Sequence, residues 1–264
     1  MGTVTDKAWY HLPNTTNPDG LVARSEQSML HEGNAARRIQ LRRVQDQDSY
    51  SLEKIALDSR VLIVEGISGS GKDTLQADLK KILKGRDVYD YSEGDVLQSW
   101  SQLQIKGIFK LQVRFMKVFV NYIEDILSQD ENAVFLLNRF HLSVYVMSVL
   151  RKPILVREYD EIISSLRTLR VHVFILQLDE SEIEKRSLHP ERSGPWQKFQ
   201  HQIVKKEGFR DRLERYLWQQ RLMLDAAERQ QIPYSILKSS SAPVIGGGWV
   251  RVAQARNTIA VECG

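Results

Sequence analysis

The run Gly66-Ile67-Ser68-Gly69-Ser70-Gly71-Lys72, followed by Asp73 and Thr74, carries the residues whose types and spacing most plainly suit chemistry. Its frame of glycine, four residues, glycine and lysine fits the binding of a polyphosphate. Glycines let the backbone wrap closely enough for successive N–H groups to point at phosphate oxygens, while the Lys72 ammonium neutralises the β and γ charges. Gly66, Ser68, Gly69, Ser70, Gly71, Lys72, Asp73 and Thr74 are the ATP contacts this pattern predicts. The residue after such a lysine is normally a Ser or Thr whose hydroxyl ligates Mg²⁺. Here it is Asp73, with the Thr74 hydroxyl one residue later. Mg²⁺ accepts one or two carboxylates beside phosphate oxygens and water, so Asp73 and Thr74 are the expected metal ligands.

Such a loop works only between a strand and a helix, where the helix N-terminus also faces the phosphates. The flanking sequence supplies both: VLIVE (61–65) before the loop and TLQADLKKILK after it. Further short apolar runs, VYDY (88–91), AVFLL (133–137), VHVFILQL (171–178) and PYSIL (233–237), predict four more strands. Between them, IFKLQVRFMKVFVNYIEDIL, VREYDEIISSLRTL and GFRDRLERYLWQQRLMLDAAERQ repeat apolar residues at three- and four-residue spacing, the mark of core-facing helices. Strands alternating with helices predict an α/β sandwich of three layers, a parallel sheet with helices on both faces.

Residues 1–56 read as an N-terminal extension, partly disordered or helical, with a basic stretch containing Arg37, Arg38, Arg42 and Arg43. A catalytic domain is expected over 57–240 and a small, glycine-rich tail with a short hairpin or edge strand over 241–264. The 264 residues suffice for one substantial core. No run approaches the ~20 apolar residues of a membrane-spanning helix, and the first residues lack the pattern of a secretory signal. A cytoplasmic protein is therefore expected. The single cysteine, Cys263, excludes an internal disulfide. A net charge of +4 permits polyanionic ligands without pointing to nucleic acid.

The segment EGISGSGKDTL resembles the opening of thymidylate kinases and deoxynucleoside kinases, and further resemblances follow in order. NRFHLSVYV (138–146), after the strand AVFLL, is similar to the D-R-Y-x-x-S segment of thymidylate kinases. VFILQLDESEIEKRSLHPER (173–192) is similar to that family's strand and basic lid. The resemblance spans about residues 60–240 and implies a P-loop NTPase sandwich with a five-stranded parallel sheet of order 2-3-1-4-5. It implies phosphoryl transfer from ATP with Mg²⁺ to a small-molecule acceptor, and a homodimer.

Carried onto this sequence, the resemblance gives Lys72 the β and γ phosphates, and Arg139 and Arg114 the acceptor or the transferring group. Arg186 and Arg192, with Lys185, fall in the lid over ATP. Glu93, in YSEGD, resembles the carboxylate that serves nucleoside kinases as base toward a sugar hydroxyl, with Asp95 its close competitor. Lys72, Arg139 and Glu93 are thus the catalytic candidates, and Glu93, Asp95, Arg114, Arg139 and Phe140 the acceptor-side ones. The sequence departs from the thymidylate kinase pattern at Asn138 (Asp of D-R-Y), Ser68 (the acid within the loop) and Ser92 (the Arg before Glu). The glutamine that reads thymine falls near Ser148, so thymidine monophosphate is not to be assumed as the acceptor. The expected acceptor is a nucleoside, nucleotide or related small metabolite. The missing carboxylates leave a nucleotide-binding regulator or pseudokinase as one rival. The N-terminal arginines leave a nucleic-acid end kinase or ATPase as another.

Overall fold

The computed structural model describes residues 52–98, 108–151, 156–188, 194–238 and 250–254. The N-terminal arginines, Arg192 and Cys263 lie outside these residues, as does most of the expected N-terminal extension and C-terminal tail. The strands are β1 (Val61–Gly66), β2 (Asp87–Tyr91), β3 (Ala133–Asn138), β4 (Val171–Gln177), β5 (Tyr234–Lys238) and β6 (Val250–Gln254). They form one sheet of order β2-β3-β1-β4-β5-β6. The first five are parallel in the order 2-3-1-4-5, and β6 adds antiparallel to the edge of β5.

Eight helical segments surround the sheet among the described residues: α1 (52–58), α2 (Lys72–Ile82), α3 (Ile108–Gln129), α4 (His141–Arg151), α5 (Val156–Thr168), α6 (Glu180–Ser187), α7 (Gly194–Glu207) and α8 (Arg212–Gln230). A short π-helical turn spans Gly94–Gln98.

Alternation along the central strands divides the core in two, because successive side chains leave a strand on opposite faces. Val61, Ile63, Phe135, Leu137, Val173 and Ile175 meet Met116 and Ile123 of α3, Ile162 and Leu166 of α5 and Met223 of α8. Leu62, Val64, Val134, Leu136, Phe174 and Leu176 meet Ala56 of α1 and Leu75 and Leu79 of α2. Both faces of β1 and β3 are dry along their whole length. Each fully buried Leu, Ile or Phe side chain stabilises by about 1.5–3 kcal/mol, so these two strands are the rigid axis of the molecule.

The first helix packs into the second of these clusters through Ala56, with Leu52 and Ile55 against it. It is thus part of the sandwich, and the expected boundary at residue 57 falls inside it. Helix α4, HLSVYVMSVLR, is not among the predicted helices. Its origin is tertiary and lies in β1.

Candidate active site

The last residue but one of β1 is Glu65, a carboxylate with no exposed surface. Its Oε1 accepts the N–H groups of Phe140 (2.8 Å), Leu142 (3.1 Å) and Ser143 (3.2 Å), and its Oε2 accepts the Ser143 hydroxyl (2.5 Å). These are donors at the first turn of α4, which a helix cannot satisfy internally. Glu65 is therefore the cap of α4, supplied from a different strand. Burial raises its pKa, against the lowering effect of the Ser143 hydroxyl and the backbone donors.

The loop after Glu65 takes a path that demands glycine. Gly66, Gly69 and Gly71 have φ of 149°, 81° and 95°. A Cβ on Gly66 would lie 2.7 Å from Ser70 Oγ, and one on Gly69 would lie 3.0 Å from the carbonyl oxygen of Arg186. The second approach arises because the C-terminal end of α6 sits on the loop. The Ser187 hydroxyl donates to the Ser68 carbonyl at 2.6 Å, and Ile67 packs with Ile183 and Tyr216. Gly71 caps α2 with no side-chain hydrogen bond, which leaves the N–H groups of its first turn open to an anion.

Lys72 is buried at 7% exposure, and its Nζ donates to the Ile67 carbonyl at 2.9 Å, across the curve of the loop. Desolvation, then the nearby Arg139 guanidinium, pushes its pKa down to about 7, while Glu93, Glu65 and Asp73 act in the opposite sense. A polyphosphate would replace the carbonyl as partner and hold the ammonium charged.

Arg139 follows β3 in the left-handed region at φ 66°. A non-glycine residue there costs about 1–3 kcal/mol and persists only where its surroundings enforce it. Its N–H donates to the Val64 carbonyl of β1 at 2.9 Å, and its Nη1 donates to Glu93 Oε1 at 2.9 Å. Thus Lys72, Arg139 and Glu93, from the ends of β1, β3 and β2, come together at the C-terminal edge of the sheet. Open α/β sheets bind their ligands at that edge.

The other predicted residues separate clearly. Asp73 and Thr74 are exposed at the start of α2, and Ser70 is buried beneath the loop. Asp73 Oδ1 accepts from Asn138 Nδ2 at 2.7 Å, and the same nitrogen donates to Gln76 Oε1 at 3.0 Å. Asn138 is 4% exposed and its Oδ1 has no hydrogen-bond partner. A carboxylate and an unpaired amide oxygen beside a phosphate loop suit a hard, oxygen-seeking cation such as Mg²⁺.

Asp95 is turned to local use, its Oδ2 accepting the Ser92 N–H at 2.8 Å and the Ser92 hydroxyl at 2.7 Å. These bonds hold its pKa below the usual carboxylate range. Arg114 is exposed on α3. Phe140 is corrected outright: it is fully enclosed in the core against Phe119, with ring centroids 5.9 Å apart, and presents no surface to an acceptor. Arg186 stands at the loop end of α6, near Glu182 at 4.0 Å, and Lys185 pairs with Glu182 at 3.5 Å. Glu65, Gln76 and Ser187 escaped sequence reasoning. Only Glu65 carried a signal, a charge closing an apolar strand immediately before the loop.

A parallel sheet of order 2-3-1-4-5, with a phosphate loop joining its central strand to a helix, defines the P-loop kinase fold. Among solved structures the chain is similar to thymidylate kinase from Candida albicans, at 16% identity and a TM-score of 0.44 over 69% of this chain and 84% of that one. It is also similar to thymidylate kinase from Ehrlichia chaffeensis, at 16% identity and a TM-score of 0.43 over 71% of this chain and 92% of that one. No family model matches the sequence, and no curated protein matches it.

Proposed function

We propose that this protein is an ATP-dependent kinase that phosphorylates a nucleoside, a nucleotide or a related small metabolite, with Mg²⁺ as cofactor. The observation that carries this reading is the meeting of Glu93 and Arg139 at 2.9 Å beside the buried Lys72, at the C-terminal edge of the sheet. Phosphoryl transfer depends chiefly on positioning and on neutralising the charge of the transferring group. Lys72 and the open N–H groups of the loop hold the β and γ phosphates. Arg139 faces the transferring group, fixed in direction by its strained backbone. Arg186, at the loop end of α6, belongs to the lid that excludes water.

Glu93 gives the acceptor its character. A base is useful to a neutral hydroxyl and superfluous to a phosphate acceptor, whose nucleophilic oxygen is already ionised. The acceptor hydroxyl oxygen attacks the γ-phosphorus and the bond to the β–γ bridging oxygen breaks. ADP leaves, and the hydroxyl proton passes to the Glu93 carboxylate. Asp73 and Thr74 would hold Mg²⁺, which supplies further charge neutralisation at the phosphates.

The test is ADP release with Mg-ATP across nucleosides, nucleoside monophosphates and short oligonucleotides, with Lys72→Ala as blank. Release dependent on one acceptor class supports the kinase. Binding of ATP with no acceptor-dependent release would overturn it in favour of a regulatory nucleotide-binding protein. Stimulation by oligonucleotides alone would favour a nucleic-acid end kinase. Glu93→Gln should lower kcat by about 10²–10⁴ while leaving the KM for ATP near its original value. An unchanged kcat would remove Glu93 as the base.

A further inference from the structure

P-loop enzymes hold Mg²⁺ with a hydroxyl on the residue after the loop lysine and a carboxylate at the end of a neighbouring strand. In this chain the carboxylate stands after the lysine, at Asp73, and the end of β3 carries a neutral amide, Asn138. Taken singly, Asp73 replaces a hydroxyl ligand and Asn138 removes a carboxylate. The two side chains touch, however, at 2.7 Å.

That contact has a fixed sense. A carboxylate can only accept, so Asn138 must turn its NH₂ toward Asp73. Gln76 Oε1 accepts from the same nitrogen at 3.0 Å. The sense of Gln76 is set in turn, because its Nε2 donates to Asp90 Oδ1 and Asp90 is paired with Lys80. The relay from Lys80 through Asp90, Gln76 and Asn138 ends on Asp73. It leaves one polar atom over, the buried and unpartnered Asn138 Oδ1. An Asp at position 138 would place a carboxylate against the Asp73 carboxylate and the Gln76 carbonyl oxygen, with no proton between them. Asp73 therefore requires an amide at 138, and the two departures are one.

We infer that Asp73 and Asn138 are an exchanged Mg²⁺ site, in which the carboxylate has moved from the strand to the helix and a neutral oxygen has moved from the helix to the strand. The sum is unchanged: one negative charge and one neutral oxygen donor. Asp73 supplies the anionic ligand and Asn138 both orients it and offers Oδ1. This rests on the kinase reading above, and it accounts for one of the two missing carboxylates, that at position 138, on which the pseudokinase rival stands.

The experiment is Mn²⁺ binding, followed by electron paramagnetic resonance, to the full chain with a non-hydrolysable ATP analogue. The variants are Asp73→Thr, the near-isosteric Asp73→Asn, and the reciprocal double variant Asp73→Thr with Asn138→Asp. Both single variants should weaken Mn²⁺ by at least about tenfold, with metal-free analogue binding retained. The double variant rebuilds the usual arrangement and should return to within about threefold of the original, a coupling that a double-mutant cycle isolates. Unchanged Mn²⁺ affinity in Asp73→Asn, or a double variant as weak as Asp73→Thr, would overturn the exchange and leave the kinase reading standing. Failure of the unaltered protein to bind the analogue with or without Mn²⁺ would overturn both.

Discussion

At the residue scale the site is a balance of charges held out of water before any substrate arrives. Lys72 is nearly enclosed, beside Arg139 and within the field of Glu93, Glu65 and Asp73. Burial and the neighbouring guanidinium bring it down to about 7, whereas in the unfolded chain it is an ordinary lysine. Between these values the unfolded chain binds more protons, so this lysine's cost to stability is full below the folded pKa and fades as pH rises toward the unfolded one. Binding reverses the balance, since phosphate charge favours the ammonium. Near pH 8, ATP binding should take up about one proton; calorimetry in buffers of different ionisation enthalpy reads this directly. Lys72→Met should abolish the uptake, and an unchanged value in that variant would place the proton elsewhere. Arg139, held at φ 66°, has its N–H tied to β1 and its guanidinium to Glu93.

Among elements, α4 is the one whose existence depends most on a distant residue. Glu65 of β1 accepts three backbone N–H groups at its start, and Arg139 lies immediately before it. Leaving a buried donor unsatisfied costs about 1–3 kcal/mol, so Glu65→Ala should destabilise the protein by roughly 3 kcal/mol or more. ATP binding should weaken with it, because the residue that aims Arg139 is anchored by the same turn. Glu65→Gln keeps one acceptor oxygen and should lose less. Denaturant unfolding of the two variants checks the order, and equal stability of Ala and Gln at this position would refute the cap. The α7–α8 pair is held differently, through Arg215 and Glu207, whose side chains are 6% and 5% exposed and meet at 2.5 Å. The α7–α8 pair and the start of α4 thus hang on separate buried carboxylates, Glu207 and Glu65.

At the scale of the whole described fold, β1 and β3 are the fully buried central strands, and the candidate site sits where their C-terminal ends meet the loop, α2 and α6. A ligand binding that junction ties both core clusters together. ATP with Mg²⁺ at about a hundred times its Kd should stabilise the native state by ~2.7 kcal/mol, a rise in Tm of roughly 5–10 °C for a domain of this size. Calorimetric scans with and without nucleotide test it, and no shift at saturating ATP would contradict the phosphate-loop reading. The fold and the glycine-rich loop were legible along the chain because both are local patterns. A β-branched run, a glycine frame and a three-to-four periodicity need only neighbours in sequence, and they foretold all five parallel strands and the loop. Three features were not read from the sequence. Helix α4 reads there only as part of a motif, and the cap that starts it comes from Glu65, more than seventy residues earlier. Phe140 was drawn to the acceptor by its neighbour Arg139, but successive residues leave the end of a strand in different directions, and its ring went to the core. Asp73 read as a metal ligand and Asn138, sixty-five positions away, as a missing carboxylate, with nothing to connect them; the packing of α2 beside the end of β3 brings them within hydrogen-bond reach. The sequence determined which residues are available for chemistry, since residue type and local spacing are properties of the chain. Which of them act together was decided by the tertiary structure, because the strand register alone sets distances between residues so far apart.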